Sequence, residues 1–349
     1  MIAEFIHWGV ALVPVLILLA VFNWLDAFAL MRFREIALLL VLGGVAALIC
    51  YPISGRMIDV LPIGFNFYSR FIAPWIEEAV KGLVVVGLFR ANRIGYKLDA
   101  VISGFAIGAG FSVVENIIYL ILLPDYGVGT WLVRGLGTAV MHGTTLAILA
   151  ASAHEFAERE NREAAGQFDF RLWWFVPGYL AAVALHTLFN QFPDRPMLAM
   201  MGAMLVAPIA LVAILNFGTS EAQEWLTAEY AAHKTALAAL DAGQWPEGRA
   251  SAPIAALAER LGPGPAARIR DYWRTLSWLV VEAEEAMIEE AAGDVVFDRG
   301  KTAAAFADLA RLRGELGKAG FAALKPLLPF SRNDYWEVSE LRQRLARKA

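Results

Sequence analysis

Seven stretches of this chain are long and apolar enough to cross a lipid bilayer, at about 6–25, 36–53, 71–89, 100–123, 130–153, 172–192 and 197–217. A bilayer core about 30 Å thick needs roughly 20 apolar residues per helix. Inside it every backbone N–H and C=O must be satisfied within the protein, so runs of that length specify helices. The chain has 349 residues, of which 58% are hydrophobic and 18% charged. An ordinary soluble domain is about 25% charged. The expected fold is all-α, a polytopic membrane helix bundle of about seven spans. The first stretch is not read as a cleaved leader, because nothing basic precedes it and no small-residue cleavage site follows "LILLAVF".

Basic residues in the short loops orient the set. With the N-terminus outside, the inner loops 23–35, 90–99 and 154–171 carry Arg32, Arg34, Arg90, Arg93, Lys97, Arg159, Arg162 and Arg171. The outer side holds Arg56, Arg70 and Arg195, with Arg134 just inside the fifth span. The expected topology is N-terminus outside and C-terminus in the cytoplasm. The net charge of −4 leaves neither half of the chain basic, so nucleic acid is not an expected partner. The single cysteine, Cys50, excludes an intrachain disulfide.

The composition changes after Gly218. Residues 1–218 form the membrane domain, and 219–349 read as a soluble, mostly helical domain on the cytoplasmic side. "TSEAQEWLTAEYAAHKTALAAL" opens with Thr219 and Ser220, both good helix caps, and carries Trp225, Leu226, Tyr230, Leu237 and Leu240 at helical spacing. "QWPEGRASAP" interrupts it, and two further amphipathic helices follow. This tail carries no catalytic pattern, and its partner is not legible.

The spans contain polar groups that are expensive in lipid, a charge near the bilayer centre costing on the order of 3 kcal/mol. The third span has Glu77, Glu78 and Lys81, the fourth Glu115 and Asn116, the fifth His142, and the sixth His186 and Asn190. At ~1.5 Å rise per residue, Glu77, Glu115 and His186 all fall about 9–12 Å from the outer end of their spans. His142 lies somewhat deeper. Lys81 can reach Glu77 at i,i+4 or Glu78 at i,i+3, and Phe111 shares a face with Glu115 as His186 does with Asn190. Gly104, Gly108, Ala109 and Gly110 let neighbouring helices come close. The spacing therefore gathers carboxylates and imidazoles into one layer.

Such a chamber suits water activation. A desolvated Glu beside a like-charged neighbour can take a proton from water, and His and Asn can donate to a developing oxyanion. A site inside the membrane calls for an apolar substrate, and peptide hydrolysis in a transmembrane or membrane-proximal segment is the reaction these groups serve. "EEAVK" (77–81), "FSVVE" (111–115), the His142 segment and "HTLFN" (186–190) resemble the PrsW family of intramembrane proteases. That family lies in a wider superfamily with the CAAX prenyl endopeptidases and bacteriocin-processing proteases. Glu115 and Lys81 favour the PrsW branch, since the CAAX branch usually has His and Arg in the corresponding motifs. The resemblance implies Glu77 as general base, Glu78 as its support, and His186 and Asn190 as oxyanion donors. Glu115 and His142 complete the polar cluster, with Lys81, Phe111 and Asn116 in support. It also implies a single-span membrane protein as substrate, such as a membrane-anchored anti-sigma factor, cut on the outer side of a bacterial cytoplasmic membrane.

Two His and one or two Glu with an open position would also hold zinc, with His142, His186, Glu115 and Glu78 as candidate ligands. No His-Glu-x-x-His run is present, and "HEFAE" at 154–158 lacks the second His. The metal-free glutamate mechanism is preferred, with Zn2+ as the alternative. Two rivals are a serine protease built on Ser112 and His186 and a proton-coupled transporter. The first leaves the carboxylates without a role. The second usually shows matching inverted halves, and none are seen here.

Overall fold

The computed structural model describes residues 7–10, 12, 13, 17, 33–122, 127–163, 170–192, 194–216, 219–248, 250–292 and 297–346. They divide into two compact units, Met1–Glu158 with Phe170–Phe217, and Arg159–Asp169 with Gly218–Ala349.

The first unit contains α1 (Phe33–Val60), α2 (Ala73–Arg90), α3 (Lys97–Leu122), α4 (Ala139–Glu163) as far as Glu158, α5 (Val176–Phe189) and α6 (Pro196–Asn216). Among the described residues, five helices are long and apolar enough to cross a membrane. They correspond to the expected spans at 36–53, 100–123, 130–153, 172–192 and 197–217. The expected span at 71–89 is α2, whose 18 residues include Glu77, Glu78, Lys81 and Arg90, too many charges for an apolar span. The expected span at 6–25 lies mostly outside the described residues. The fold is an all-helical membrane bundle.

Helix α3 lies at its centre, with every residue from Asp99 to Ser112 buried. Glycines let it sit there. A Cβ at Gly104 or Gly108 would strike the α4 backbone at Leu146 or His142, and one at Gly110 would strike Leu40 of α1. Gly43 of α1 is pressed as closely against Ile107. Small residues thus bring three backbones together, as membrane helices require where lipid offers no hydrophobic drive to association. The helix with its lead-in, Val128–Glu160, is 89% buried over its apolar window, against 17% for Pro196–Asn216. The buried one carries the polar residues, and the other turns Met197, Met201, Leu205 and Ile209 outward.

Two wide π-helical turns, Tyr68–Ile72 and Val133–Thr138, lead into α2 and α4. Pro74 and Pro177 stand in the first turns of α2 and α5, where a missing N–H is harmless. The Tyr179 hydroxyl donates to the Trp75 carbonyl at 2.9 Å, fastening α5 to α2.

The second unit packs α7 (Thr219–Asp241), α8 (Ser251–Leu261), α9 (Pro263–Ala292), α10 (Arg299–Leu324) and α11 (Arg332–Ala346). Their core includes Leu240, Ile254, Trp273, Leu276, Leu324, Phe330 and Leu341. Asp298 caps α10 by accepting from the N–H groups of Gly300 and Lys301. That helix bends at Gly317, whose φ of 69° only glycine adopts cheaply.

Buried charge joins three of these helices. His233 of α7 hydrogen-bonds Glu284 of α9 through Nδ1 at 3.2 Å, and its Nε2 lies 3.6 Å from Asp334 of α11. Burial works against the imidazolium, but Glu284 and Asp334 outweigh it and raise the His233 pKa above its ordinary value. Burial also raises Asp334, although His233 opposes the shift. Both groups bind protons more tightly in the folded chain, so their stabilisation is present at low pH and lost as pH rises. We expect hydrogen-exchange protection of α7 and α11 in the full chain, corrected for intrinsic exchange, to fall as pH climbs through and above about 6.5. His233→Gln should flatten that dependence. Equal slopes in the two proteins would show that His233 does not couple these helices to pH.

Candidate active site

Four helices converge on one polar cluster. Helix α2 supplies Glu77, Glu78 and Lys81, and α3 supplies Phe111, Glu115 and Asn116. Arg134 comes from the wide turn ahead of α4, His142 and Thr145 from α4 itself, and His186 from α5.

Glu78 and Lys81 are fully enclosed and paired at 2.6 Å. The same Glu78 oxygen, Oε1, accepts from His186 Nδ1 at 2.8 Å and from the Thr145 hydroxyl at 3.3 Å. Lys81 Nζ also lies 2.9 Å from His142 Nδ1 and 4.8 Å from the centre of the Phe111 ring. An ammonium has no lone pair, so His142 Nδ1 accepts and its proton sits on Nε2. That nitrogen faces Glu115 Oε2 at 3.4 Å. His186 is turned the other way. It gives Nδ1–H to Glu78, and its Nε2 lies 3.8 Å from Glu77 Oε2. The two rings stand edge to face, 4.9 Å apart between centres. Arg134 pairs with Glu115 at 3.2 Å.

The cluster therefore holds three carboxylates and two permanent cations. Lys81 answers Glu78 and Arg134 answers Glu115, and Glu77 is the carboxylate left over. Its Oε2 is buried and has no hydrogen-bond partner. The cluster is least enclosed at Glu77, Glu115 and Arg134. Side-chain exposure is 13% at Glu77, 21% at Glu115 and 20% at Arg134, against zero at Glu78 and Lys81.

The structure thus gathers Glu77, Glu78, Lys81, Phe111, Glu115, His142 and His186. The other two predicted residues hold backbone. The Asn116 amide donates to the Arg134 carbonyl at 3.1 Å. The Asn190 amide donates to the Ser69 carbonyl at 2.9 Å, tying the end of α5 to the wide turn ahead of α2. Ser112 bonds Thr138 at 3.1 Å, while His186 turns to the two carboxylates, so no Ser–His pair forms. Sequence reasoning missed Arg134 and Thr145. Arg134 could have been found: it lies eight residues before His142 on one span, close to the same helical face.

The pattern of the PrsW family intramembrane metalloproteases matches residues 32–215. The chain belongs to the PrsW family. The match covers α1–α6 and stops short of α7. Comparison with curated proteins and with solved structures gives no match. The PrsW assignment, together with five apolar helices of spanning length, makes the chain an integral membrane peptidase.

The family's description raises the question of a metal. Glu77, His142 and His186 each offer a ligand atom, and the three atoms lie within 4.8 Å of one another. The Glu77 oxygen without a hydrogen-bond partner and the neighbouring Nε2 of His186 fit such a role. So does Glu78, which orients His186 through Nδ1 as outer carboxylates orient metal-binding imidazoles. His142 fits once its proton moves from Nε2 to Nδ1, which requires Lys81 to turn aside. This set has Glu77 where the sequence suggested Glu78 and Glu115. Glu78 is taken up by Lys81, His186 and Thr145, and Glu115 by Arg134 and His142.

Proposed function

We propose that this PrsW-family chain hydrolyses a peptide bond in or next to the transmembrane segment of a single-span membrane protein, with Glu77 as the base that activates water. The observation that carries this reading is the buried Glu77 Oε2, without a hydrogen-bond partner and 3.8 Å from Nε2 of His186. With the His186 proton on Nδ1, these two acceptors side by side fit the two hydrogens of one water molecule. Glu78, held by Lys81 and Thr145, fixes the His186 tautomer so that Nε2 stays an acceptor. Asn190 positions this pair through Ser69. Water attacks the scissile carbonyl as Glu77 takes its proton, and Glu77 returns the proton to the leaving nitrogen.

A second reading is favoured by the three-ligand grouping and by the family's description. There Glu77, His142 and His186 would hold a divalent metal, which would supply an acidified water and polarise the carbonyl. Cleavage of a single-span reporter by purified protein, with and without chelator, separates the two. We expect chelator-resistant cleavage. Loss of activity on chelation and recovery with Zn2+ would overturn the metal-free reading.

The loop charges support an extracytoplasmic N-terminus, a cytoplasmic tail and a site in the outer half of a bacterial cytoplasmic membrane. A membrane-anchored anti-sigma factor is a substrate that suits this side. A reporter fused after Gly218 should be cytoplasmic and one at Gly127 extracytoplasmic. Reversed labelling of both would overturn the orientation and the side of the cut.

A further inference from the structure

Arg134 is the one permanent cation at the least enclosed part of the cluster, and its donors are only partly used. Its Nε and Nη2 are buried without a hydrogen-bond partner, the contact to Glu115 being an ion pair of poor alignment. Leaving such donors unmet is costly, and a native structure that does so usually has a use for them. The position is also firmly set. Arg134 lies in a π-helical turn, a feature that often marks functional sites. Its carbonyl accepts from both the Asn116 amide and the Thr138 hydroxyl. The guanidinium carbon sits 3.7 Å from the centre of the Tyr119 ring. Backbone and side chain are both fastened, while the Nε has no acceptor and Nη2 has only the misaligned Glu115 oxygen.

The donors suggested by sequence for an oxyanion are otherwise engaged. His186 gives Nδ1–H to Glu78, and the Asn190 amide is held by one of its two N–H groups on the Ser69 carbonyl. We propose that Arg134 receives the carbonyl oxygen of the scissile peptide bond and stabilises it as it becomes an oxyanion. The inference rests on the reading of Glu77 as base. When water adds, its oxygen bonds to the carbonyl carbon, its proton goes to Glu77, and the C=O electron pair moves onto oxygen. One negative charge leaves Glu77 and one appears on the carbonyl oxygen, so the cluster keeps its net charge. On collapse the C=O re-forms, the C–N bond breaks, and the nitrogen takes the proton from Glu77. A neutral carbonyl suits this site better than an acidic side chain, because the carboxylates already outnumber the cations.

The test is steady-state cleavage of a single-span reporter by full-length protein in nanodiscs. Losing one oxyanion donor typically lowers turnover about 10²–10³-fold. Arg134→Gln should show that fall in kcat with KM little changed, and Arg134→Lys should recover part of it. Guanidinium ion added to Arg134→Ala should restore turnover in a saturable way. A rise in KM at unchanged kcat would overturn the proposal and make Arg134 a ground-state contact. Equal loss in the Gln and Lys variants, with no rescue by guanidinium, would reduce it to a structural partner of Glu115. Glu77→Gln run alongside tests the base separately. If it stays active the base reading fails, while the kcat-against-KM split still decides the role of Arg134.

Discussion

Glu77→Gln is expected to lower kcat about 10²–10⁴-fold, the range that a positioned general base contributes, while the protein melts no earlier than the wild type. The substitution keeps the shape of the side chain and removes only the charge. That charge has no cation of its own, because Lys81 pairs with Glu78 and Arg134 with Glu115. Removing the surplus carboxylate relieves like-charge crowding among buried groups, so stability should hold or rise. A group kept for function and not for folding shows this split. Glu78→Gln should behave differently and lose both activity and stability, since Glu78 accepts from three side chains at once. Melting in detergent and reporter cleavage on the same preparations read both quantities. A Glu77→Gln protein that cleaves at the wild-type rate would remove Glu77 from the chemistry. One that unfolds with Glu78→Gln would make it structural. Metal content of the same variant bears on the second reading: there Glu77→Gln loses bound metal together with activity.

Depth counting along apolar spans was enough to bring Glu77, Glu115, His142 and His186 together, because lipid-crossing helices leave few other places for polar groups. It could not divide the labour between Glu77 and Glu78. Adjacent residues on a helix point about 100° apart, and Lys81 lies within reach of both. Only the packed position of α4 and α5 shows that Glu78 turns inward to Lys81, Thr145 and His186. Arg134 was missed because a charge near the end of a span reads as a topology signal. The Asn190–Ser69 bond joins segments far apart in sequence, so no local pattern announces it. In the tail, amphipathic helical spacing made α7, α9 and α10 visible. Helix α8 was hidden by Pro253, read as a breaker although a proline in the first turn of a helix is harmless.

Lys81→Met is expected to destabilise the membrane unit by about 3 kcal/mol, toward the lower end of what breaking one side of a buried ion pair costs. Lys81 and Glu78 are both fully enclosed, so water cannot replace the lost partner. The methionine fills much of the space and still packs against Phe111, which limits the damage to the electrostatic part. Glu78 keeps its bonds from His186 and Thr145, but neither brings a permanent charge. Adding Glu78→Gln should therefore restore much of the stability, because both members of the pair are then neutral. Activity should stay low in the double variant, since a Gln amide can offer His186 a donor as readily as an acceptor and no longer fixes its tautomer. The loss of Lys81 also frees His142. Its Nδ1 is obliged to accept only while the ammonium is there, so nitrogen chemical shifts should show one His142 tautomer in the wild type and a mixture in Lys81→Met. Lysine cannot be exchanged for arginine without penalty here, as the forked guanidinium does not fit a site closed around a single nitrogen. If Lys81→Met melts with the wild type and its His142 signals do not change, then Lys81 is not the hinge of the cluster, and the tautomers assigned to His142 and His186 must be exchanged or revised.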